Sequence, residues 1–385
     1  MPRLLYLLAL CNLVIGSSAF VLGGILVPLA DDLDVSVAAA GQAMTAYALA
    51  TALLAPIALV ATGRWPRKRV LWLSMAVFAL GNLISALATS LPLLLAGRAV
   101  MGVGAMFTPV AAGIAVASVE PARRGRALAF VFLGMSLSYV IGVPIGAWLG
   151  LRFGWQVPVA LAAAASALCS LGLLAVLPKD IEAPGATFAG LPRLLARPAV
   201  LQILGLTLHY FIAIFVVFSY IGPVLKALVP MSGERLSITL AIFGVAGVIG
   251  TVSGGWANDR FGPMRSLTVQ LTLLGAMMAL VPLTQGHYPL MLAVFFAWGI
   301  AGFGMMAPQQ ARLASLAPAQ APILLSLNTS MLYMGTALGA AVGGAVAGSV
   351  GFDRFAWVGV PFAIVGLAIL RLGSRSVSQP KEAAT

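Results

Sequence analysis

Charged residues are scarce in this chain: they make up only 8% of its 385 residues, whereas 61% are hydrophobic. Soluble globular proteins average about 25% charged residues. This scarcity, with a mean hydropathy of +1.05, excludes a soluble globular fold. We therefore expect an all-α membrane protein that crosses the lipid bilayer many times.

Residues that carry chemistry are also few. The two cysteines, Cys11 and Cys169, lie in separate apolar runs, so a disulfide framework is not expected. The sequence has two histidines, no His/Cys cluster at metal-ligand spacing, no phosphate-binding glycine loop and no nucleophile with a matching base. These absences predict no metal, no other cofactor, no enzymatic activity and no ATP-driven pumping.

Acidic residues number ten against twenty-two Lys and Arg, which gives a net charge of +12. The basic residues form short clusters between apolar runs, without the aromatic-interleaved basic face of a nucleic-acid-binding protein. Nucleic acid is therefore not an expected partner, and membrane orientation explains the charge better.

Apolar runs of about 20 residues, the length that crosses about 30 Å of hydrocarbon, are separated by charge clusters and Pro/Gly turns. They predict twelve spans, at 4–29, 37–62, 70–89, 91–117, 126–150, 155–177, 199–225, 236–257, 264–284, 288–312, 321–349 and 352–371. Seventeen Lys and Arg fall on one side of these spans and four on the other, while Arg98 lies within a span. By the positive-inside rule, both termini are predicted to be cytoplasmic.

The longest polar interval between predicted spans divides the chain into two halves. It covers 179–198 and is interpreted as a cytoplasmic linker between six-helix bundles at 1–178 and 199–372, with a tail at 373–385. The loop after span 2 weakly resembles the loop after span 8, and both span 5 and span 11 repeat glycine at every fourth residue. Two parallel six-span repeats around a central substrate cavity are the architecture of one large class of secondary transporters.

The glycine repeat of span 5 predicts a close helix contact. Gly142, Gly146 and Gly150 stack on one helix face, where small residues let two backbones approach in lipid, and Gly134 precedes them. Pro144 removes one backbone donor and is expected to bend the helix. The pattern fits either a plain packing helix or a transport motif.

Three stretches carry a resemblance to a known family. They are Gly255-Trp-Ala-Asn-Asp259-Arg260-Phe-Gly262, Leu94-Leu-Ala-Gly-Arg98-Ala-Val-Met-Gly102 and the glycine-rich run 134–150. With these stretches the chain resembles the major facilitator superfamily, and within it the bacterial twelve-span drug:proton antiporters that include chloramphenicol, sugar and purine exporters. The resemblance implies a monomer in the bacterial cytoplasmic (inner) membrane that exchanges a small organic molecule for protons.

Arg98 is the strongest candidate for a residue of proton coupling or gating, because an arginine inside a span normally faces the bundle interior and has a partner. Asp31 and Asp32, at the outer end of span 1, are the nearest carboxylates by depth and form an expected pair with Arg98; alternatively they belong to a solvated loop. In the loop motif, Asp259 is expected to pair with Arg260, Arg265 or the N-terminus of an adjacent helix, unless this is only a solvated loop.

The chain departs from the family pattern at two positions. Ala19 stands where similar exporters often carry an acidic residue, and Gly63 stands where the first-half loop motif has its aspartate, although Arg64 follows it. His209 is the only ionisable group deep in the second half. It is interpreted as a proton-linked switch, a neutral cavity group or a packing residue.

Polar and aromatic residues within spans are expected to face the bundle interior, because polar groups are costly in lipid. The predicted cavity wall comprises Asn12, Gln42, Tyr47, Tyr139, His209, Tyr210, Tyr220, Gln309, Asn328 and Tyr333. With no acidic residue among them, a neutral or weakly polar substrate fits better than a strongly cationic one.

These features support three functions. The first is proton-coupled efflux of a drug, sugar or nucleoside-like metabolite by rocking of the two halves. The second is an uncoupled facilitated-diffusion carrier or exchanger, which Ala19 and Gly63 favour. The third, a non-transporting membrane sensor, calls for a soluble signalling domain or a long tail, whereas the tail after Leu372 has only about a dozen residues.

Overall fold

The computed structural model describes residues 3–120, 123–177, 195–316 and 321–377, and these ranges are almost entirely helical. Eleven helical stretches within them are long and apolar enough to cross a membrane, and a shorter apolar helix, Ala356–Leu372, follows them. The predicted all-α membrane fold is confirmed. Most of the predicted linker, and the tail beyond 377, lie outside the described residues.

We number the twelve helical spans in chain order. The first six are Arg3–Phe20 with Val21–Gly24 and Leu26–Asp32; Val37–Ala61; Arg67–Ala86; Leu91–Gly104 with Phe107–Ala117; Arg124–Leu137 with Ser138–Gly142 and Val143–Phe153; and Gln156–Val176. The second six are Pro198–Phe218 with Ile221–Leu228; Gly233–Phe261; Pro263–Leu280 with Val281–Thr284; Tyr288–Gly304 with Met306–Leu316; Ala321–Val350; and Ala356–Val377.

The two halves repeat the same packing pattern. Span 1 packs on spans 5 and 6, span 2 on span 4, and span 3 on spans 4 and 6. In the second half, span 7 packs on spans 11 and 12, span 8 on span 10, and span 9 on spans 10 and 12. The halves meet through spans 2 and 11 and through spans 5 and 8, which are themselves equivalent pairs. This is the parallel pseudo-symmetry that the sequence predicts.

Helix breaks fall at equivalent places in the two halves. Spans 1 and 7 are interrupted after Phe20 and Phe218, and spans 4 and 10 are interrupted after Gly104 and Gly304. Breaks inside a membrane are tolerated when the freed backbone groups are buried in protein. Spans 1, 4, 7 and 10 also surround the central cavity, so the breaks lie where backbone groups find partners other than lipid.

We call the side of the bundle on which span 1 begins the terminal face and the opposite side the distal face. Spans 1, 3, 5, 7, 9 and 11 run from the terminal to the distal face, and the even-numbered spans run back. Turns 33–36, 154–155 and 229–232 lie at the distal face, and 62–66 lies at the terminal face. That the terminal face is cytoplasmic remains a prediction from the basic residues.

Candidate functional site

A cavity of about 400 Å³ lies between the two halves. Spans 1, 4 and 5 line it from the first half and spans 7, 8, 10 and 11 from the second. Its wall carries ten aromatic side chains, namely Phe20, Phe132, Tyr139, Tyr210, Phe211, Phe215, Phe218, Phe243, Phe303 and Tyr333. No charged residue stands among its described lining residues, so the site fits an uncharged, mainly apolar molecule.

The aromatic rings join the two halves across the cavity. Phe20 of span 1 stacks on Tyr139 of span 5, with centroids 5.2 Å apart, and lies 5.7 Å from Phe215 of span 7. Tyr139 meets Phe303 of span 10 edge to face at 4.9 Å. Such contacts form one continuous aromatic surface, against which a planar substrate can stack.

The distal end of the cavity is closed by backbone contacts between the halves. A Cβ atom on Gly222 would lie 2.7 Å from the carbonyl oxygen of Gly24, so spans 1 and 7 touch at their breaks. The hydroxyl of Tyr220 donates to the carbonyl of Ala340 on span 11, within the second half, at 3.0 Å, and it lies 3.4 Å from the carbonyl of Ala38 on span 2 of the first half. The structure is therefore closed toward the distal face, while the cavity extends from the bundle centre toward the terminal face.

Arg98 is completely buried beside this closure, but it does not reach the cavity. Its guanidinium donates to the carbonyls of Ser18 at 3.0 Å and Ala19 at 2.7 Å, and its Nε donates to Ala43 at 3.4 Å. These span 1 carbonyls are available because the helix tightens into a 3-10 turn over Val21–Gly24. The Tyr47 ring completes the site, 5.2 Å from the guanidinium carbon.

The expected pair between Arg98 and Asp31 or Asp32 is not found. Asp31 is exposed, and the carboxylate of Asp32 accepts from Trp155 Nε1 at 2.8 Å and from Gln156 Nε2 at 2.7 Å. Span 1 continues for three turns beyond the carbonyls that hold Arg98, which carries both aspartates to the distal surface. Asp32 instead fastens span 1 to the start of span 6.

His209 lies away from the cavity. Its Nδ1 is 2.8 Å from the carbonyl oxygen of Gly205, one turn earlier in the same helix. It shares a helix stripe with Leu206 and Ala213, which lie against span 12 at Gly366 and Gly359. Of the three interpretations, this position matches the packing residue.

The loop motif forms no latch among the residues that the structure describes. Asp259 and Arg260 are both exposed, and the Asp259 carboxylate accepts from Asn258 Nδ2 at 3.1 Å. Arg64 is exposed as well, and the Gly63 carbonyl accepts from Arg67. A latch at this face would have to form in another conformation, because the structure is closed at the distal face instead.

Apart from His209, the predicted cavity residues separate into three groups. Tyr139, Tyr210 and Tyr333 line the cavity. Gln42 and Tyr220 lie in the distal closure, where a Cβ on Gly344 would contact both side chains. The others stand behind the wall: Tyr47, which meets Tyr333 edge to face at 6.2 Å, and the hydrogen-bonding residues Asn12, Gln309 and Asn328.

The sequence prediction missed the phenylalanines that supply most of the aromatic surface. Phe211, Phe215 and Phe218 recur at helical spacing on span 7, which is a visible stripe, but an apolar stripe in a membrane protein also fits a lipid-facing surface. Thr108, Ser136, Thr251, Gln310 and Thr329 are the polar side chains missed.

The glycine repeat of span 5 packs along span 1. A Cβ on Gly134 would collide with the carbonyl of Ala9, one on Gly142 with the Ser17 side chain, and one on Gly146 would lie 2.6 Å from Val21. Gly150 faces Ile25 at 2.9 Å in the same way. A π-helical turn, Ser138–Gly142, stands just before Pro144 and accommodates the missing donor.

Span 11 lies on span 7 through Gly335, Gly339 and Gly343.

Comparisons with known proteins agree with this architecture. The Major Facilitator Superfamily model matches residues 8–322 and 211–385. The chain is 31% identical to the inner membrane transport protein YdhP of Escherichia coli K12, over 95% of this chain and 94% of that protein. It is 28% identical to the uncharacterized MFS-type transporter YbcL of Bacillus subtilis, over 98% and 97% of the two chains.

Among solved structures, a bacterial homolog of the human lysosomal transporter Spinster, in an inward-facing and occupied conformation, superposes with a TM-score of 0.83. The match covers 98% of each chain at 18% identity, which establishes a shared fold. With the family match over nearly the whole sequence and the central cavity between two repeated halves, the chain belongs to the major facilitator superfamily and is a membrane transporter, not an enzyme.

Proposed function

We propose that the protein exports small, mainly apolar organic molecules across the bacterial cytoplasmic membrane by alternating access, in exchange for protons. The observation that carries the proposal is the cavity of about 400 Å³ between the halves, with its aromatic wall and uncharged lining. Its volume suits a drug-sized molecule, and few polar groups are available to fix orientation. Among drug, sugar and nucleoside-like substrates, the sugar therefore fits least well.

Alternating access is supported by the way the halves meet. The distal closure is made by helix ends and glycine contacts, such as Gly222 on Gly24, which can part without breaking either six-helix half. Rocking of the halves about the contacts of span 2 with span 11 and span 5 with span 8 would open the distal face and close the terminal face. We propose the monomer as the working unit, with both termini cytoplasmic.

The outward direction of transport and the exchange for protons rest on two observations. The span 5 glycine run and the Arg98 motif resemble those of drug:proton antiporters, and the relative YdhP is an inner membrane transport protein. The cavity contributes the apolar surface that a lipophilic substrate needs, and its extension toward the predicted cytoplasmic face suits loading from inside the cell.

One observation favours an uncoupled carrier as the second candidate. None of the acidic residues in the described ranges is buried, and the charge of Arg98 is met by backbone carbonyls and Tyr47. A proton-exchanging carboxylate is therefore missing from the described part of the membrane interior, where transporters of this kind commonly hold one.

Everted membrane vesicles that contain a pH-sensitive dye distinguish the two candidates. A proton gradient is imposed, and uncharged aromatic compounds, phenicols, arabinose-like sugars and purine nucleosides are added in turn. Antiport predicts alkalinisation of the vesicle lumen with an aromatic compound and none in vesicles without the protein. Equilibration of labelled compound without any proton movement would instead establish the uncoupled carrier.

A further inference from the structure

The hydroxyl of Thr108, on the cavity wall, has a fixed hydrogen-bond direction. It donates to Oδ1 of Asn12 at 2.8 Å, and the Asn12 Nδ2 group donates to the carbonyl oxygen of Val131 at 3.1 Å. Only the amide nitrogen of Asn12 can donate to a carbonyl, so its oxygen must face Thr108. Asn12 has no exposed surface, which leaves it no alternative partner in water.

This arrangement determines what Thr108 offers to the cavity. A hydroxyl has one proton and two lone pairs, and the proton of Thr108 is already directed at Asn12. Toward the cavity the oxygen can therefore only accept a hydrogen bond. The protons of Thr251 and Thr329, the other threonines of the wall, are also already engaged, by the carbonyls of Gly247 at 2.9 Å and Leu325 at 3.0 Å in their own helices.

Thr108 donates to a residue of another span, whereas Thr251 and Thr329 donate to carbonyls of their own helices. Span 4 is interrupted between Gly104 and Phe107, so Thr108 lies at the start of the second helical piece and its side chain reaches across to span 1. The bond joins spans 1, 4 and 5 around a completely buried amide, and such an amide is stable only when its groups are satisfied. The acceptor orientation of Thr108 is therefore held by the fold.

We propose that Thr108 forms a subsite that accepts an N–H or O–H group of the transported molecule, and that Asn12 is the positioning residue which keeps Thr108 an acceptor. The inference rests on the proposed function, because it takes the aromatic cavity as the substrate site. It narrows the substrate class to aromatic molecules that carry a hydrogen-bond donor, such as phenols and aryl amines.

Equilibrium binding to the full-length protein in lipid nanodiscs tests the subsite without requiring export. The probes are 2-naphthol and 2-methoxynaphthalene, which differ by a methyl group in place of the hydroxyl proton. The wild-type protein should bind 2-naphthol more tightly, and Thr108→Val should weaken that binding by about fivefold, the value of one hydrogen bond. Binding of 2-methoxynaphthalene should not change, and Thr108→Ser should restore the preference.

Two further variants distinguish the effect of the Thr108 hydrogen-bond direction from a general effect on helix packing. Asn12→Ala frees the Thr108 proton to donate, so the preference for 2-naphthol over 2-methoxynaphthalene should shrink toward equality. Thr272→Val removes an exposed hydroxyl that is bonded to Thr268, away from the cavity, and should leave both affinities unchanged.

The inference is overturned if Thr108→Val weakens both naphthalenes equally or neither, or if wild-type protein binds the two with equal affinity. Export is measured separately in vesicles. A donor preference without export supports the subsite and contradicts the proposed function, whereas export without a donor preference does the reverse.

Discussion

The guanidinium carbon of Arg98 lies 5.2 Å from the centre of the Tyr47 ring, and that ring meets Tyr333 of the other half edge to face at 6.2 Å. Arg98 is thereby connected to the cavity wall through the Tyr47 side chain, although it does not line the cavity itself. Its charge is held by span 1 carbonyls exposed by the helix break, so it stabilises the broken helix and the Tyr47 ring together.

Replacing Arg98 should therefore affect both stability and transport. Arg98→Ala leaves the carbonyls of Ser18 and Ala19 without their partner, and we expect about 1–3 kcal/mol of destabilisation per unsatisfied group, together with loss of transport. Arg98→Lys keeps the charge but loses the planar fork that reaches both carbonyls, so it should be intermediate. Thermal unfolding in detergent and vesicle transport measure the two effects. Wild-type behaviour of Arg98→Ala in both assays would contradict this role.

The contact of span 5 with span 1 predicts a strong position dependence for glycine substitutions. Gly134→Ala places a Cβ against the carbonyl of Ala9, a backbone atom that cannot rotate away, and should cost about 1–3 kcal/mol or more. Gly113→Ala is the matched control, because nothing beyond its adjacent residues and its own helix backbone lies within 4 Å of the added Cβ. Thermal unfolding of the two purified variants tests this. Equal stability of both would show that the helix contact is looser than described.

The hydroxyl of Tyr220 bridges the halves at the distal closure, so its removal should favour opening at that face. Tyr220→Phe loses the contact of the hydroxyl with the carbonyl of Ala38, which crosses from span 7 to span 2 of the other half, and one hydrogen bond of about 1 kcal/mol corresponds to about a fivefold shift in the equilibrium. The shift is measured by labelling Ser136→Cys in the cavity with an impermeant maleimide added from the distal side. Cys11 and Cys169 are buried and free, and give the background.

Tyr288→Phe is the control for that experiment. Its hydroxyl lies 3.0 Å from that of Thr239, within the second half, so its loss should not change labelling from the distal side. A labelling rate that rises equally in both tyrosine variants would indicate general loosening and would contradict a specific role of Tyr220 in closure.

The aromatic surface should determine affinity for an apolar substrate. Phe20→Ala removes a ring of the cavity wall that stacks on Tyr139 and contacts Phe215. We expect about a tenfold increase in KM, because the substrate loses one to two aromatic contacts. Leu168→Ala, on the exposed surface of span 6, removes comparable apolar area outside the cavity and should leave KM unchanged. An equal effect of the two substitutions would contradict the assignment of the substrate site.

The fold was largely predictable, because hydrophobic length alone marks membrane spans and basic loops mark alternate sides. The glycine faces of spans 5 and 11 were also visible, since four-residue spacing places Gly142, Gly146 and Gly150 on one stripe. The helix breaks after Gly104 and Gly304 could not be predicted, because the chain contains 42 glycines and most of them lie in unbroken helix.

The site was less predictable, for physical reasons that differ between residues. The partner of Arg98 was wrongly expected to be a carboxylate, because a sequence does not show which backbone carbonyls a helix break makes available. His209 precedes the cavity residue Tyr210 by one position, and one position turns a helical side chain by about 100°, enough to remove it from the cavity wall and place it on the stripe of Leu206 and Ala213. The phenylalanines were missed because lipid and an apolar substrate attract the same side chains.

Transport by the purified protein in proteoliposomes tests the central claim most directly. A labelled, uncharged aromatic amine is supplied with and without an imposed proton gradient, for the wild type and for Phe20→Ala. We predict gradient-driven accumulation by the wild type and much weaker accumulation by the variant at the same low concentration. Accumulation that needs no gradient, or that is unaffected by loss of Phe20, would contradict a proton-driven exporter working through this cavity.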